Sequence, residues 1–311
     1  MAGTCFIMIA CFTWALDTLI RYPLLGAGYA TLQIVLIEHL TLVLLVSPML
    51  WRYRHVFRHL SINSFLCLFF IGGVGSALGT LAFTEAFHYL NPTVVILLQK
   101  LQPLVAIVLA YACLNERIEG SFVRWAIVIL SGSLVMLWPD IQSLAEVQWH
   151  YANDSLSVLT GYGYTLLAVL AWGAATVCGK YLSQQQMHPS AIMSGRFMAG
   201  LCVLLPLALL QPDSLMPMSP VDLSLAIAMA LLSGLIGMRF YYQGLKTIPA
   251  HMATLAELSF PVFAAAVNWF VLGMGLTHYQ IIGGLMLMLG NFGLRLKALQ
   301  RSDPSPVVYQ S

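Results

Sequence analysis

Ten apolar stretches follow one another almost without interruption, and nothing else in this sequence limits the fold so severely. They fall at about 3–22, 30–50, 62–87, 92–113, 122–139, 159–182, 190–210, 222–246, 252–273 and 278–298. A helix needs about 20 mostly apolar residues to cross the hydrocarbon core of a bilayer. Charged residues make up only 8% of the chain and hydrophobic ones 59%, whereas a soluble domain carries about 25% charged residues. The sequence therefore predicts an all-α polytopic membrane protein with ten transmembrane helices. The first stretch lacks a basic leader, so it reads as a working helix rather than a cleaved signal peptide. Residues 299–311, with Pro304 and Pro306, read as a disordered tail.

Basic residues set the orientation, because Lys and Arg collect in cytoplasmic loops. With the N-terminus inside, Arg52, Arg54, Arg58, Arg117, Arg124, Lys180, Lys246, Arg295, Lys297 and Arg301 all fall on the cytoplasmic side. Only Arg21 falls outside, and the polar connection at 140–158 holds Asp140, Glu146 and Asp154 without a basic residue. Both termini are thus expected in the cytoplasm and the chain in a cell membrane, a bacterial inner membrane being the natural setting. A net charge of +2, with no Lys/Arg-rich segment, argues against a nucleic-acid partner.

The chain also repeats itself. Trp14 and Trp172, Thr18 and Thr176, Pro48 and Pro206, Gly79 and Gly237, Pro103 and Pro261, and Gly132 and Gly290 are each 158 residues apart. One gapless offset gives two halves, 1–139 and 159–298, joined by an external linker at 140–158. Each half has five helices. An odd number places the second copy upside down in the membrane, an inverted-topology repeat of the kind secondary transporters use to build a midplane site.

Two equivalent stretches have unusual chemistry. Leu90–Leu104 carries Gln99, Lys100 and Gln102 beside Pro103, and Ile248–Val262 carries Glu257 before Pro261. Each proline is expected to kink its helix and free the carbonyl four residues earlier, that of Gln99 or Glu257. Free backbone at that depth has to face protein or a water-filled cavity.

Ionisable groups at the bilayer centre cost about 2.5–3.5 kcal/mol each on insertion scales. Asp17, Glu38, His39, Glu85, Lys100, Arg196, Arg239 and Glu257 are therefore expected to face a cavity or one another. Glu38, Glu85 and Lys100 form an outer set; Arg196, Arg239 and Glu257 form an inner set. Each contains both signs, so each can act as a gate, Lys100 with Glu38 or Glu85 and Glu257 with Arg196 or Arg239. Static ties between helices fit the same residues. Asp17 and Arg21 are four apart and can pair locally, ending the first helix before Pro23.

Candidate substrate contacts complete the picture. Trp14 and Thr18 share a face of the first helix, as Trp172 and Thr176 do in its repeat. Phe83 and Tyr242, with Tyr241, add aromatic surface, and Thr254 lies on one stripe with His251 and Glu257. His39 and the carboxylates are candidate proton carriers; the sequence leaves proton coupling and facilitated exchange both open. Six cysteines form no CxxC pair and read as small buried hydrophobes. Phosphate-loop, metalloprotease and hydrolase signatures are absent, so neither enzyme chemistry nor a cofactor is expected.

The paired stretches resemble a known family. AFHYLNP (Ala86–Pro92), QPLVAIVLAYACLNERI (Gln102–Ile118) and Gly132 in the first half, with GLKTIPA (Gly244–Ala250), FPVFAAAVNWFVLG (Phe260–Gly273) and Gly290 in the second, resemble EamA-type carriers of the drug/metabolite transporter superfamily. The resemblance implies a central cavity lined by helices 1–4 and 6–9, with helices 5 and 10 at the periphery. It also implies transport of a small polar metabolite, an amino acid or relative, by alternating access, with export favoured over import. Organic cations, carboxylates or a non-transporting scaffold or sensor role are the alternatives, and monomer and homodimer both fit. One departure stands out: Glu116 matches the family's acidic residue after helix 4, but its repeat position is Met274.

Overall fold

The computed structural model describes residues 2–90, 92–139, 141–142, 155–273 and 275–302. Among these, all regular structure is helical. The helices are α1 (Ala2–Gly26), α2 (Thr31–Arg52), α3 (Ile62–Tyr89), α4 in two pieces (Pro92–Gln99 and Gln102–Leu114), α5 (Gly120–Met136), α6 (Ser155–Gln184), α7 (Pro189–Leu210), α8 (Pro220–Thr247), α9 in two pieces (Ala250–Glu257 and Phe260–Leu272) and α10 (His278–Ser302). Eight of them, all but α5 and α10, are long and apolar enough to cross a membrane. The last helix runs to Ser302, past the expected end at 298. The rest of the tail, the linker charges Asp140, Glu146 and Asp154, and Met274 lie outside the described residues.

Local chemistry sets the helix ends. Ser61 and Ser219 cap α3 and α8, each hydroxyl accepting from a backbone N–H three residues on, at 3.2 and 3.1 Å. Asn115 ends α4 with φ 53° and Gly273 ends α9 with φ 66°. Both are left-handed caps, and they stand 158 residues apart.

The prolines act differently from the expected kink. The backbone tightens first: Lys100 and Leu101 donate to Leu97 and Leu98, and Leu258 and Ser259 donate to Leu255 and Ala256, at 2.9–3.2 Å. Those are bonds of three-residue reach, which end an α-helical run. Pro103 and Pro261 then sit in the first turn of the next piece, where a missing N–H leaves nothing unsatisfied. Both helices are therefore broken rather than bent, again at positions 158 apart.

α3 and α8 widen into π-helical turns at Phe70–Leu78 and Ala230–Gly237. A tryptophan meets each one. A Cβ on Gly79 would lie 3.0 Å from Trp172 Nε1, and one on Gly237 would lie 3.0 Å from Trp14 Nε1. Only glycine admits an indole so close to the backbone.

α1 packs on α8 and α9, α6 on α3 and α4, and α2 on α7. The largest core joins Cys11, Leu42, Ile71, Leu182, Phe197 and Leu245. α5 and α10 pair closely with each other, with Gly132 against the backbone of Gly283. Small residues at the crossing permit that approach.

Candidate functional site

α1, α2, α3, α4, α6, α7, α8 and α9 enclose a cavity of about 390 Å³. It reaches from the break in α9 toward the α1–α2 turn. There it meets a second cavity lined by Gly28, Tyr29 and Thr31, and the two share Tyr22, Leu25, Thr84 and Phe87.

Aromatic side chains make the walls. Trp14 packs on Tyr241 with ring centroids 5.6 Å apart, Trp172 on Phe83 at 5.0 Å, and Phe83 on Phe87 at 5.1 Å. Trp172 Nε1 donates to the Gly75 carbonyl at 2.9 Å, which fixes the indole plane.

Toward the α1–α2 turn lies a three-residue charge cluster. Arg21 Nε donates to Asp17 Oδ2 at 2.7 Å and Nη2 to Glu38 Oε2 at 3.1 Å. Ser233 of α8 donates to Asp17 Oδ1 at 2.7 Å. The local Asp17–Arg21 pair expected from the spacing is present, but the first helix does not end before Pro23; it continues through it to Gly26. The expected pair of Lys100 with Glu38 or Glu85 is not formed: Arg21 takes Glu38, Glu85 lines the second cavity, and Lys100 lies in the break of α4, lining neither cavity.

Deeper in, a polar chain crosses the bundle. His39 Nδ1 faces the Val35 carbonyl at 2.9 Å and Nε2 meets Ser76 Oγ at 3.1 Å. Arg196 donates to Ser76 Oγ and to the Tyr242 hydroxyl, both at 3.3 Å. Glu257 ends the first piece of α9. Its carboxylate accepts from Gln102 Nε2 at 3.1 Å and from Tyr241 OH at 3.0 Å, and Tyr241 OH lies 3.0 Å from Thr176 Oγ1. These partners are neutral, so the inner ion pair expected between Glu257 and Arg196 or Arg239 is not formed. The free carbonyl of Glu257 faces the Cys11 thiol at 3.6 Å.

Of the residues singled out in the sequence, Trp14, Thr18, Glu38, His39, Phe83, Gln99, Trp172, Thr176, Arg196 and Glu257 line the cavity. Glu85 lines the second one. Tyr242 is buried behind Arg196, and Arg239 is exposed on α8, where its long side chain can reach the membrane surface. Thr254 is fully buried with no partner for its hydroxyl and lines neither cavity. Tyr241, read as added aromatic surface, also lines the cavity; Gln102, Ser76 and Thr80 belong to the lining and were not singled out as contacts. Gln102 lies in the conspicuous proline stretch; nothing in the sequence marks Ser76 beyond its glycine neighbours.

The opposite end of the bundle is closed by polar clasps. Lys180 Nζ donates to the carbonyls of Leu245 and Ile248 at 3.0 and 2.7 Å, neutralising the end of α8. Tyr53 OH meets His188 Nδ1 at 3.0 Å over stacked rings. Glu116, beyond the end of α4, accepts from the backbone N–H groups of Ala250 and His251 at 2.8 and 3.1 Å and lies 2.6 Å from His251 Nδ1. Burial pushes the Glu116 carboxyl upward, but the bonds from the His251 side chain and the two backbone donors outweigh it and leave its pKa below the ordinary glutamate value. The acidic residue that follows helix 4 is thus a cap on the start of α9.

Comparison with known proteins matches this architecture. A model of the EamA-like transporter family matches residues 1–138 and again 159–296. The riboflavin transporter ImpX of Fusobacterium nucleatum subsp. nucleatum is 27% identical over 297 residues, which span 92% of this chain and 95% of that protein. A crystal structure of another protein aligns with a TM-score of 0.69 over 97% of this chain and 99% of that chain, at 16% identity, a likeness of fold alone.

Proposed function

Because the chain belongs to the EamA-like transporter family, we propose that it is a secondary carrier whose cavity takes a planar aromatic metabolite with hydrogen-bonding edges, a flavin being the first candidate. One observation carries this reading: the charges at the α1–α2 end of the cavity are already committed to one another. Arg21 pairs with both Asp17 and Glu38, and Arg196 gives its hydrogen bonds to Ser76 and Tyr242, which leaves Trp14, Trp172, Phe83 and Phe87 as the larger free surface. Flat rings stack on such walls, and Gln99, Gln102, Thr80 and Thr84 supply donors and acceptors along the edge. The mixed charges that pointed to a zwitterionic amino acid in the sequence therefore weigh less. A relative at 27% identity that is named a riboflavin transporter supports the same substrate class.

In this reading ten helices form two five-helix halves of opposite orientation, 1–139 and 159–298, in a cell membrane with both termini cytoplasmic. The matched left-handed caps and helix breaks, and two family matches that start 158 residues apart (159 against 1), support it. Alternating access then exchanges the opening near the α1–α2 turn for one at the clasped end.

The test is ligand-induced stabilisation of the purified protein by riboflavin, tryptophan, glutamate and a polyamine, followed by flux in proteoliposomes. A ligand that binds only the native state raises its apparent melting temperature. Riboflavin is expected to stabilise, and Trp172→Ala to abolish the shift. Stabilisation by glutamate or the polyamine with none by riboflavin would overturn the substrate class. The same vesicles, loaded on one side, read whether flux runs outward as the family resemblance implies.

A further inference from the structure

We infer that Glu257 is the site of a coupling proton, and that its protonation is relayed to the substrate walls through the hydroxyls of Tyr241 and Thr176. This inference rests on the carrier reading above. It starts from an imbalance: Glu257 lines the cavity and is held by neutral donors, Gln102 from α4 and Tyr241 from α8.

The ionisable groups facing it account for no salt bridge. Cys11 of α1 reaches its backbone carbonyl. Arg196 of α7 faces the same cavity but gives its hydrogen bonds to Ser76 and Tyr242. Arg21 serves Asp17 and Glu38. A carboxylate without a cation in a low-dielectric site is one whose charge is easily surrendered to a proton. The cavity leads from it toward the α1–α2 turn, which provides the route.

The hydrogens balance in both states. With Glu257 ionised, the single hydrogen of Tyr241 points to Oε1, and Thr176 can donate to the Tyr241 oxygen. When Glu257 takes a proton on Oε1, its new O–H donates to the Tyr241 oxygen. Tyr241 then turns its hydrogen to Thr176 Oγ1, 3.0 Å away, and Thr176 turns its own to the Trp172 carbonyl, 3.3 Å away. No bond is broken without a replacement. The rearrangement ends on the backbone of one tryptophan wall, and the Tyr241 ring lies against the other, Trp14. Substrate held between those walls and the proton on Glu257 therefore favour or oppose each other, which is what coupling requires.

Two measurements on the full-length protein test this. The first needs no substrate: infrared difference spectra of purified protein are recorded as pH is lowered, and the carboxylic-acid C=O band is followed. One component of the band is expected in the wild type and lost in Glu257→Gln, while the other carboxyls, Glu116 among them, contribute alike to both proteins. In Tyr241→Phe, which loses a donor to the ionised form, the midpoint of that component is expected at higher pH. The second compares riboflavin uptake into proteoliposomes with and without an imposed pH gradient. The wild-type ratio is expected to depart several-fold from one, and the Glu257→Gln ratio to equal one whatever rate remains. A wild-type difference spectrum left unchanged in Glu257→Gln, or wild-type uptake indifferent to the gradient, would overturn the inference. If riboflavin does not move at all, the substrate reading fails, and the infrared band still decides the proton site. Should Glu257→Gln not fold, an unmoved midpoint in Tyr241→Phe would likewise overturn it.

Discussion

Trp172 donates its indole N–H to the carbonyl of Gly75, joining the start of the second half of the chain to a π-helical turn of the first. The indole is thereby held as a fixed wall. Trp172→Phe keeps a ring there but loses the bond, at a cost of about 1 kcal/mol in stability. A several-fold loss of substrate affinity should accompany it, because a ring free to tilt has to be ordered on binding. Paired thermal denaturation and binding titrations check both effects; unchanged affinity would show that the wall is not used.

Arg21→Met would leave Asp17 and Glu38 facing one another with no cation. Breaking a buried pair costs about 3–5 kcal/mol. The side chains of Asp17 and Glu38 are 8% and 14% exposed, so most of that cost is expected. Arg21→Met with Glu38→Gln removes one of the orphaned charges and should recover a good part of the loss. Equal destabilisation in the single and double variants would mean that Arg21 acts by packing alone.

Glu116 makes stability depend on pH. Its folded pKa lies below the unfolded value, so its contribution is fully present above the ordinary glutamate range and is lost as pH falls through the folded pKa. The melting temperature of the wild type is therefore expected to drop as acid reaches that window. Glu116→Gln, less stable at neutral pH by about 1–3 kcal/mol, should show a shallower drop. Parallel curves for the two proteins would rule out the clasp as the source.

Thr254 has a buried hydroxyl without a partner. Replacing an unsatisfied polar group by an apolar one of the same shape is neutral or stabilising. Thr254→Val is expected to match or exceed the wild-type melting temperature. A fall in substrate affinity in that variant would place Thr254 back among the binding residues.

These outcomes separate what was readable in the sequence from what was not. Helix positions were readable because hydropathy registers length directly: α2 was expected at 30–50 and spans Thr31–Arg52, and α6 was expected at 159–182 and spans Ser155–Gln184. Trp14, Thr18, Trp172 and Thr176 were readable as cavity residues because helical spacing and the shared offset place them on equivalent faces. Depth, however, says nothing about azimuth. Lys100 and Glu38 share a depth, yet Arg21 is the residue turned toward Glu38. The stripe through Thr254 and Glu257 lies within one unbroken piece, Ala250–Glu257, with Glu257 at its end. The chain tightens after Glu257, and the carboxylate faces the cavity while Thr254 does not. Breaks of that kind depend on backbone bonds that no side-chain pattern encodes.

The clasp of Glu116 on the start of α9 has no twin. At the positions 158 residues away the sequence offers Met274 for the carboxylate and Pro92, which has no N–H, for Ala250. In the alternating-access carrier proposed above, two access states that differ by such a bond are expected to be unequally populated, tenfold for every 1.4 kcal/mol or so. Substrate approaching the disfavoured mouth first has to draw it open, and its apparent affinity falls by that fraction. Half-saturation should therefore differ between the two faces of the membrane, even though no net flux can arise without a gradient to drive it.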